Sequence, residues 1–275
     1  MPAAPQTADE IAPFDFHQGE GPLVIAAPHV GMHIPPVIAE NMNETGLAIR
    51  ETDFHVHRLF DFARELGAST LFATHSRYVI DLNRDSAGGS LYPGRFETGL
   101  CPLTDFDRHD IYKPDSRPDE AGVELRLEHY WRPYHAQLHK VLNQTVMRHG
   151  HALLIDAHSI RGVIPSLFDG RLPDLNFGTH SGRTLGPSLV HALSLWRETC
   201  TTYSHVLDGR FKGGYTTRHY GDPALNIHAL QIEIVQDTYL DSARPHLYDA
   251  GLAAPLSLTL RPLVEALLAA LSERS

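Results

Sequence analysis

Short apolar runs recur along this chain with longer helical patterns between them, and that alternation most restricts the folds open to it. Strand-like runs occupy Leu23–Ala27, Ser69–Ala73, Tyr78–Leu82, Ser204–Leu207 and Leu230–Val235, and another runs from Ala152 through Ile155 to end at Asp156. The first is bounded by Gly21-Pro22 and Pro28, as a buried strand would be. Helical spacing of apolar residues begins at Asp53 and runs to Gly67, which reads as a C-cap. It returns over Val123–His149, Ser188–Thr201 and Pro255–Leu271, and Pro133 is expected to kink or divide the first of these. Tyr92–Asp119 and Ser159–Pro187 read as long loops, the first placed to cover a site. Strands alternating with helices predict an α/β fold, a three-layer sandwich with a central mixed, largely parallel sheet.

The 275 residues suffice for one large domain spanning 1–275, with 1–20 as an N-terminal extension. A chain that is 42% hydrophobic and 20% charged falls outside the disordered and membrane classes. The formal charge of −10, from 23 basic and 33 acidic side chains, argues against nucleic acid or anionic membranes as partners. An anion that binds here must meet a local basic pocket. Cys101 and Cys200 lie in no zinc-finger or CxxC spacing. The amino terminus lacks a basic start with an apolar core, and no apolar run reaches membrane-spanning length, so a soluble cytoplasmic protein is expected. Nineteen histidines mildly favour a metal site, because neutral imidazole is the commonest metal ligand.

Asp156 and His158, two residues apart at a strand end, share one face, where the carboxylate can orient the imidazole as a ligand. A hydrogen-bonded pair in a loop is the plainer reading. His29 ends a buried strand between Pro28 and Gly31, residues that let the backbone turn and approach a ligand; His33 ranks behind it because Pro35-Pro36 disfavours a shared helical face. Asp53 opens a helix, so an N-cap explains it at least as well as a ligand role does, and His55 and His57 are alternatives on the same turn. In the block from Arg77 to Asp85, Asn83 and Arg84 offer donors that suit a carboxylate, and Arg77 suits an oxyanion. A surface ion-pair strip with Asp81 and Asp85 is the competing explanation. Alternation puts Gln231, Glu233 and Val235 on one face of a strand, with Ile232 and Ile234 on the other. A carboxylate in so apolar a strand is either salt-bridged or raised in pKa toward the range of a general base. Gly209–Gly221 combines flexible glycines with Arg210, Lys212 and Arg218, which suits anion capture without P-loop spacing.

Taken in order, several short motifs resemble the N-formylglutamate amidohydrolases, also called N-formylglutamate deformylases. They are Pro28-His29-Val30-Gly31 with Ile34-Pro35, Thr52-Asp53, Ser76-Arg77-Tyr78, Asp81-Leu82-Asn83-Arg84-Asp85 and Leu91-Tyr92-Pro93. Asp156-Ala157-His158-Ser159, Asp174-Leu175-Asn176-Phe177-Gly178-Thr179, the Gly209–Gly221 block and Gln231-Ile232-Glu233 complete the set, which covers about Leu23 to Asp241. That family is similar in turn to the zinc carboxypeptidases and aspartoacylases, whose first ligand pair is His-x-x-Glu. Here the third residue after His29 is Met32, so the acidic ligand must come from elsewhere, and Asp53 is the candidate.

The resemblance implies Zn2+ held by His29, Asp53 and His158, with Asp156 behind His158; Co2+, Fe2+ and Ni2+ also suit such ligands. It implies Glu233 as the group that takes a proton from water and returns it to the leaving amine, and Arg77 as the oxyanion partner. Asn83, Arg84, Arg210, Arg218 and Tyr215 would bind a small dianionic substrate, N-formyl-L-glutamate, with formate and L-glutamate as products of the last step of histidine degradation. A monomer or small homo-oligomer is expected. The alternatives are a hydrolase of another N-acyl amino acid, such as formylaspartate, and an inactive anion-binding homologue.

Overall fold

A computed structural model describes residues 11–272. Seven strands form one sheet: β1 (Phe14–His17), β2 (Leu23–Ala27), β3 (Ser69–Ala73), β4 (Ala152–Ile160), β5 (Leu175–Gly178), β6 (His205–Leu207) and β7 (Ile227–Val235). Their order is β1-β3-β2-β4-β7-β5-β6. The central strands β3, β2, β4 and β7 are parallel, β1 and β5 join antiparallel, and β6 runs parallel to β5. The sheet is therefore mixed and largely parallel, as expected. The helices are α1 (Pro36–Ala39), α2 (Glu44–Leu47), α3 (Glu120–Arg126), α4 (Arg132–His149), α5 (Pro187–Thr199), α6 (Tyr215–Tyr220) and α7 (Ala250–Ser272), with a 3-10 helix over Val56–Arg64.

The pleat sorts the strand side chains onto two faces. Leu23, Ile25, Ala27, Leu153, Ile155, Ala157, Leu230, Ile232 and Ile234 pack against the 3-10 helix, α5 and α7. Val24, Ala26, Ala152, Leu154 and Ala229 point the other way, against Tyr134, Leu138, Val141 and Leu142 of α4. Farther along the strands, this second face carries Asp156, His158, Gln231 and Glu233. Beyond these, Ile160 and Val235 join Phe106, Ile164 and Leu172 in a third apolar cluster. A polar band thus sits between two hydrophobic clusters on one face.

Several expectations need correction. Tyr78–Leu82 forms no strand: Val79 N–H donates to Ser76 O, and Asp81 N–H donates to Leu100 O. The Val79 carbonyl accepts from the buried guanidinium of Arg126 at 2.9 Å, so these apolar residues are buried without a strand partner. β4 does not end at Asp156 but continues to Ile160, paired with β7 throughout. β5 lies inside the stretch expected as loop, and β1 lies within the expected N-terminal extension. The pattern from Asp53 yields a 3-10 helix interrupted at Phe60. Pro133 sits in the first turn of α4, and a π-helical turn over Leu127–Trp131 joins α3 to it, with Arg132 N–H reaching back five residues to Leu127 O. α7 is long and apolar enough to cross a membrane by length and composition, contrary to expectation. Pro255 and Pro262 lie within it, and Leu256, Leu260, Leu263, Val264 and Leu267 are buried in the first core.

Candidate metal centre and its pocket

His29 and Asp53 meet because Asp53 N–H donates to the His29 carbonyl at 3.0 Å, tying the chain before the 3-10 helix to the end of β2. His55, in the left-handed region at φ 59°, starts that helix, and the Asp53 carboxylate does not cap it. The carboxylate turns inward instead. Its Oδ2 lies 2.9 Å from His158 Nδ1 and 3.7 Å from His29 Nδ1. Ligand atoms of these three buried residues all fall within 4.8 Å of one another.

The outer nitrogen of each imidazole is held by a buried carboxylate. His29 Nε2 donates to Asp81 Oδ1 at 2.7 Å, and His158 Nε2 donates to Asp156 Oδ1 at 3.0 Å. Asp156 in turn accepts from Thr217 Oγ1 through Oδ2 at 2.9 Å. Each Nδ1 is thereby aimed at the Asp53 carboxylate, and the buried His29 Nδ1 has no hydrogen-bond partner. Two inward nitrogens, one carboxylate oxygen and an outer carboxylate on each ring fit a divalent transition ion. No ligand of this set resists a metal on chemical grounds.

Burial works against charge on Asp53, yet the hydrogen bond from His158 and the nearby His29 imidazole hold its pKa well below the usual carboxylate range. His158 moves the opposite way: burial disfavours its cation, but Asp156 and Asp53 raise its pKa well above that of free imidazole. Glu233, paired in register with His158 across β4 and β7, is 7% exposed. Burial pushes its carboxyl up to about 8, against the attraction of nearby His158. Gln231 positions this acid, donating to Glu233 Oε2 at 3.2 Å while its own Oε1 accepts from Gly214 N–H at 2.6 Å. Gly214 must stay bare, since a Cβ there would stand 2.2 Å from Asn83 Nδ2.

The pocket over this centre is lined by His29, Asp53, His158 and Glu233 together with Arg77, Asn83, Arg84 and Arg210. Arg77 is buried and donates to Asp81 Oδ2 at 2.6 Å. Burial opposes its charge, but Asp81 and Asp53 keep the guanidinium cationic. Asn83 spans from the strand face to α6: its Oδ1 accepts from Thr216 N–H at 2.8 Å, and its amide nitrogen lies 3.0 Å from His158 Nε2. Arg84 donates to the Thr98 carbonyl at 2.8 Å. Arg210 donates through Nε to Leu167 O at 2.9 Å, and its buried Nη1 has no partner.

Arg218 and Tyr215 lie outside this pocket. Both belong to α6, which the Gly-rich block was not expected to form. Arg218 donates to Gly213 O and Leu91 O at 2.7 and 2.9 Å on the far side of Tyr92. The Tyr215 ring stacks on His219 and meets Trp131 and His135. Asp81 is the residue that sequence reasoning undervalued. It lies in Val79-Ile80-Asp81-Leu82, a carboxylate among apolar residues like Asp156, and that context is a signal of burial and pairing. The pocket walls from Leu91, Tyr92, Phe96, Thr98, Phe106 and Leu167 come from loops that carry no periodic signal.

Fold and site together define the class: a three-layer α/β protein built around a buried centre of two histidines and one carboxylate, with a raised-pKa acid beside it. Residues 21–240 match the family model for N-formylglutamate amidohydrolase. The chain is 46% identical over 259 residues to an N-formylglutamate deformylase of Pseudomonas putida, covering 94% of this chain and 97% of that protein. A second N-formylglutamate deformylase, from Pseudomonas aeruginosa, is 45% identical over 261 residues, with 95% and 97% covered. The crystal structure of N-formylglutamate amidohydrolase from Ralstonia eutropha superposes with a TM-score of 0.76 at 29% identity, covering 93% of this chain and 97% of that one. The chain belongs to the N-formylglutamate amidohydrolase family.

Proposed function

We propose that the protein is a metal-dependent N-formyl-L-glutamate deformylase, releasing formate and L-glutamate. The observation that carries this reading is the convergence of His29, Asp53 and His158 on one point beside Glu233, in a family member whose pocket also presents three arginines. His29 Nδ1, His158 Nδ1 and Asp53 Oδ2 would hold the ion, zinc being the first candidate. When bound, it supplies Lewis-acid polarisation and lowers the pKa of water toward neutrality.

Glu233 accepts the proton of the attacking water at its carboxylate and returns it to the departing amine nitrogen. Gln231 keeps the carboxyl oriented throughout. Arg77, fixed by Asp81, faces the oxygen on which negative charge develops. Arg84 and Arg210 meet the two carboxylates, and the unpartnered Nη1 of Arg210 is the donor free to do so. Phe106 and Leu167 line the wall and limit water. Residues 1–275 act as one catalytic domain on a free small molecule. The setting proposed is the cytoplasm, at the formate-releasing end of histidine degradation.

The test is formate release from N-formyl-L-glutamate, compared with N-formyl-L-aspartate, by protein purified without chelator. Turnover should fall to background after chelation and return with zinc or cobalt. A fully loaded protein that releases no formate from either compound would be an anion binder. Replacing Arg210 with glutamine is expected to raise KM roughly 10–100-fold with kcat changed far less, as for loss of one charge-assisted hydrogen bond worth about 1.5–3 kcal/mol. Steady-state kinetics checks this, and an unchanged KM would remove Arg210 from substrate binding.

A further inference from the structure

Outside the pocket, beyond Tyr92, lies a second cleft of about 360 Å³ that the mechanism does not use. Arg95, His180, Arg210, Lys212 and Arg218 line it, and no carboxylate does. In a chain of net charge −10 this concentration of cations stands out. None of the four Arg and Lys side chains is ion-paired to a carboxylate among the described residues; Arg210 and Arg218 are anchored through carbonyls instead. Cations steadied by neutral acceptors keep their full charge for a ligand.

Tyr92 forms the partition. Its ring lies 4.9 Å from the Arg210 guanidinium and 5.0 Å from that of Arg218. Its hydroxyl accepts from Lys212 N–H at 3.2 Å, which ties the partition to the cleft floor. Arg210 and Tyr92 line both the inner pocket and the outer cleft, so the two spaces share one wall. The rim is also conformationally unusual. His180 and Ser181 are non-glycine residues in the left-handed region, at φ 50° and 56°, followed by Gly182 at 82°. Backbone conformations of this kind concentrate where a site is being shaped.

We propose that this cleft is a second carboxylate-binding site, where a dicarboxylate docks before passing Tyr92 and Arg210 into the inner pocket. The proposal rests on the deformylase reading for the identity of that dicarboxylate. The docked dianion lies against Arg95, Lys212 and Arg218, and Arg210 then hands it from one space to the other.

The test is the double variant R95Q/K212Q, which changes two exposed side chains outside the catalytic machinery. At low ionic strength kcat/KM for N-formyl-L-glutamate should fall about tenfold, kcat should stay within twofold, and the salt dependence of kcat/KM should flatten. N-formyl-L-norvaline, which has one carboxylate, should lose only about threefold by the same electrostatic argument. The charge-keeping pair R95K/K212R should behave as the wild type. Unchanged kcat/KM and salt slope in R95Q/K212Q, or an equal loss for norvaline, would overturn the proposal. Calorimetry with glutarate gives a readout independent of turnover: two molecules per wild-type chain and one per R95Q/K212Q chain are expected, and one in both would defeat the cleft. Two bound glutarates without any formate release would sink the deformylase reading and leave the cleft standing.

Discussion

Replacing Glu233 with glutamine is expected to lower kcat by roughly 10²–10⁴-fold, the range for removing a positioned acid–base group. Metal content should not change, because Glu233 lies outside the trio that converges on the ion. The same variant should be more stable in its metal-free form. Burial raises the folded carboxyl pKa to about 8, so the folded state binds more protons than the unfolded chain between its ordinary value of 4.5 and about 8. Across that window the wild-type protein loses stability as pH rises, and a neutral amide removes the loss. At pH 8 the gain should be roughly 4 kcal/mol, or about ten degrees in Tm, and it should vanish near pH 4. A bound cation favours the carboxylate and should shrink the gain in loaded protein. Thermal melts of both forms at pH 5 and 8, beside metal analysis and turnover, check all three statements. Normal turnover in the glutamine variant would remove Glu233 from the mechanism.

The second large effect is expected at Asp81, which is fully buried and serves two partners. One oxygen fixes the His29 ring and accepts from Asn83 N–H at 2.9 Å; the other fixes Arg77. Asp81→Asn should weaken metal binding by about 10–100-fold, the usual cost of losing the carboxylate behind a ligating imidazole. It also leaves Arg77 buried without its counter-charge, which should destabilise the fold by about 3 kcal/mol. Burial works against ionisation of Asp81, but Arg77, His29 and Arg84 hold its pKa well below the usual carboxylate range. Its contribution is therefore complete above the ordinary carboxylate range and disappears as pH falls through the depressed folded value, so the variant should show a flatter acid limb of stability. Chelator competition measures the first effect and urea unfolding at several pH values the second. Loss of kcat alone, with metal affinity and stability intact, would show that Asp81 acts on neither partner.

The parallel centre of the sheet was legible because β2, β3, β4 and β7 carry dense apolar runs, and α4, α5 and α7 carry helical spacing. β1 and β5, four residues each, are too short for alternation to distinguish from loop. β4 looked finished at Asp156 because Asp156, His158 and Ser159 read as polar loop residues. They remain in the strand because β7 pairs with it to Ile160 and buried partners satisfy their side chains. His29 was readable from its place in the turn just after β2, and His158 from its place on β4. Asp53 was ambiguous, since helical spacing favoured a cap and only the backbone bond to His29 turns its carboxylate inward. Arg218 and Tyr215 were placed in the pocket because a Gly-rich stretch has no direction in sequence. α6 gives it one and carries both side chains away.

The π-helical turn ahead of Pro133 points the Trp131 indole nitrogen at the Arg84 carbonyl, 3.0 Å away. Only one other tryptophan exists, Trp196, edge-on to Phe177 at 5.8 Å in the layer behind the sheet. The two chromophores therefore report on separate events. Ultraviolet emission from Trp131 follows displacement of the Arg84 segment, whereas a change at Trp196 signals that the distal hydrophobic layer has opened.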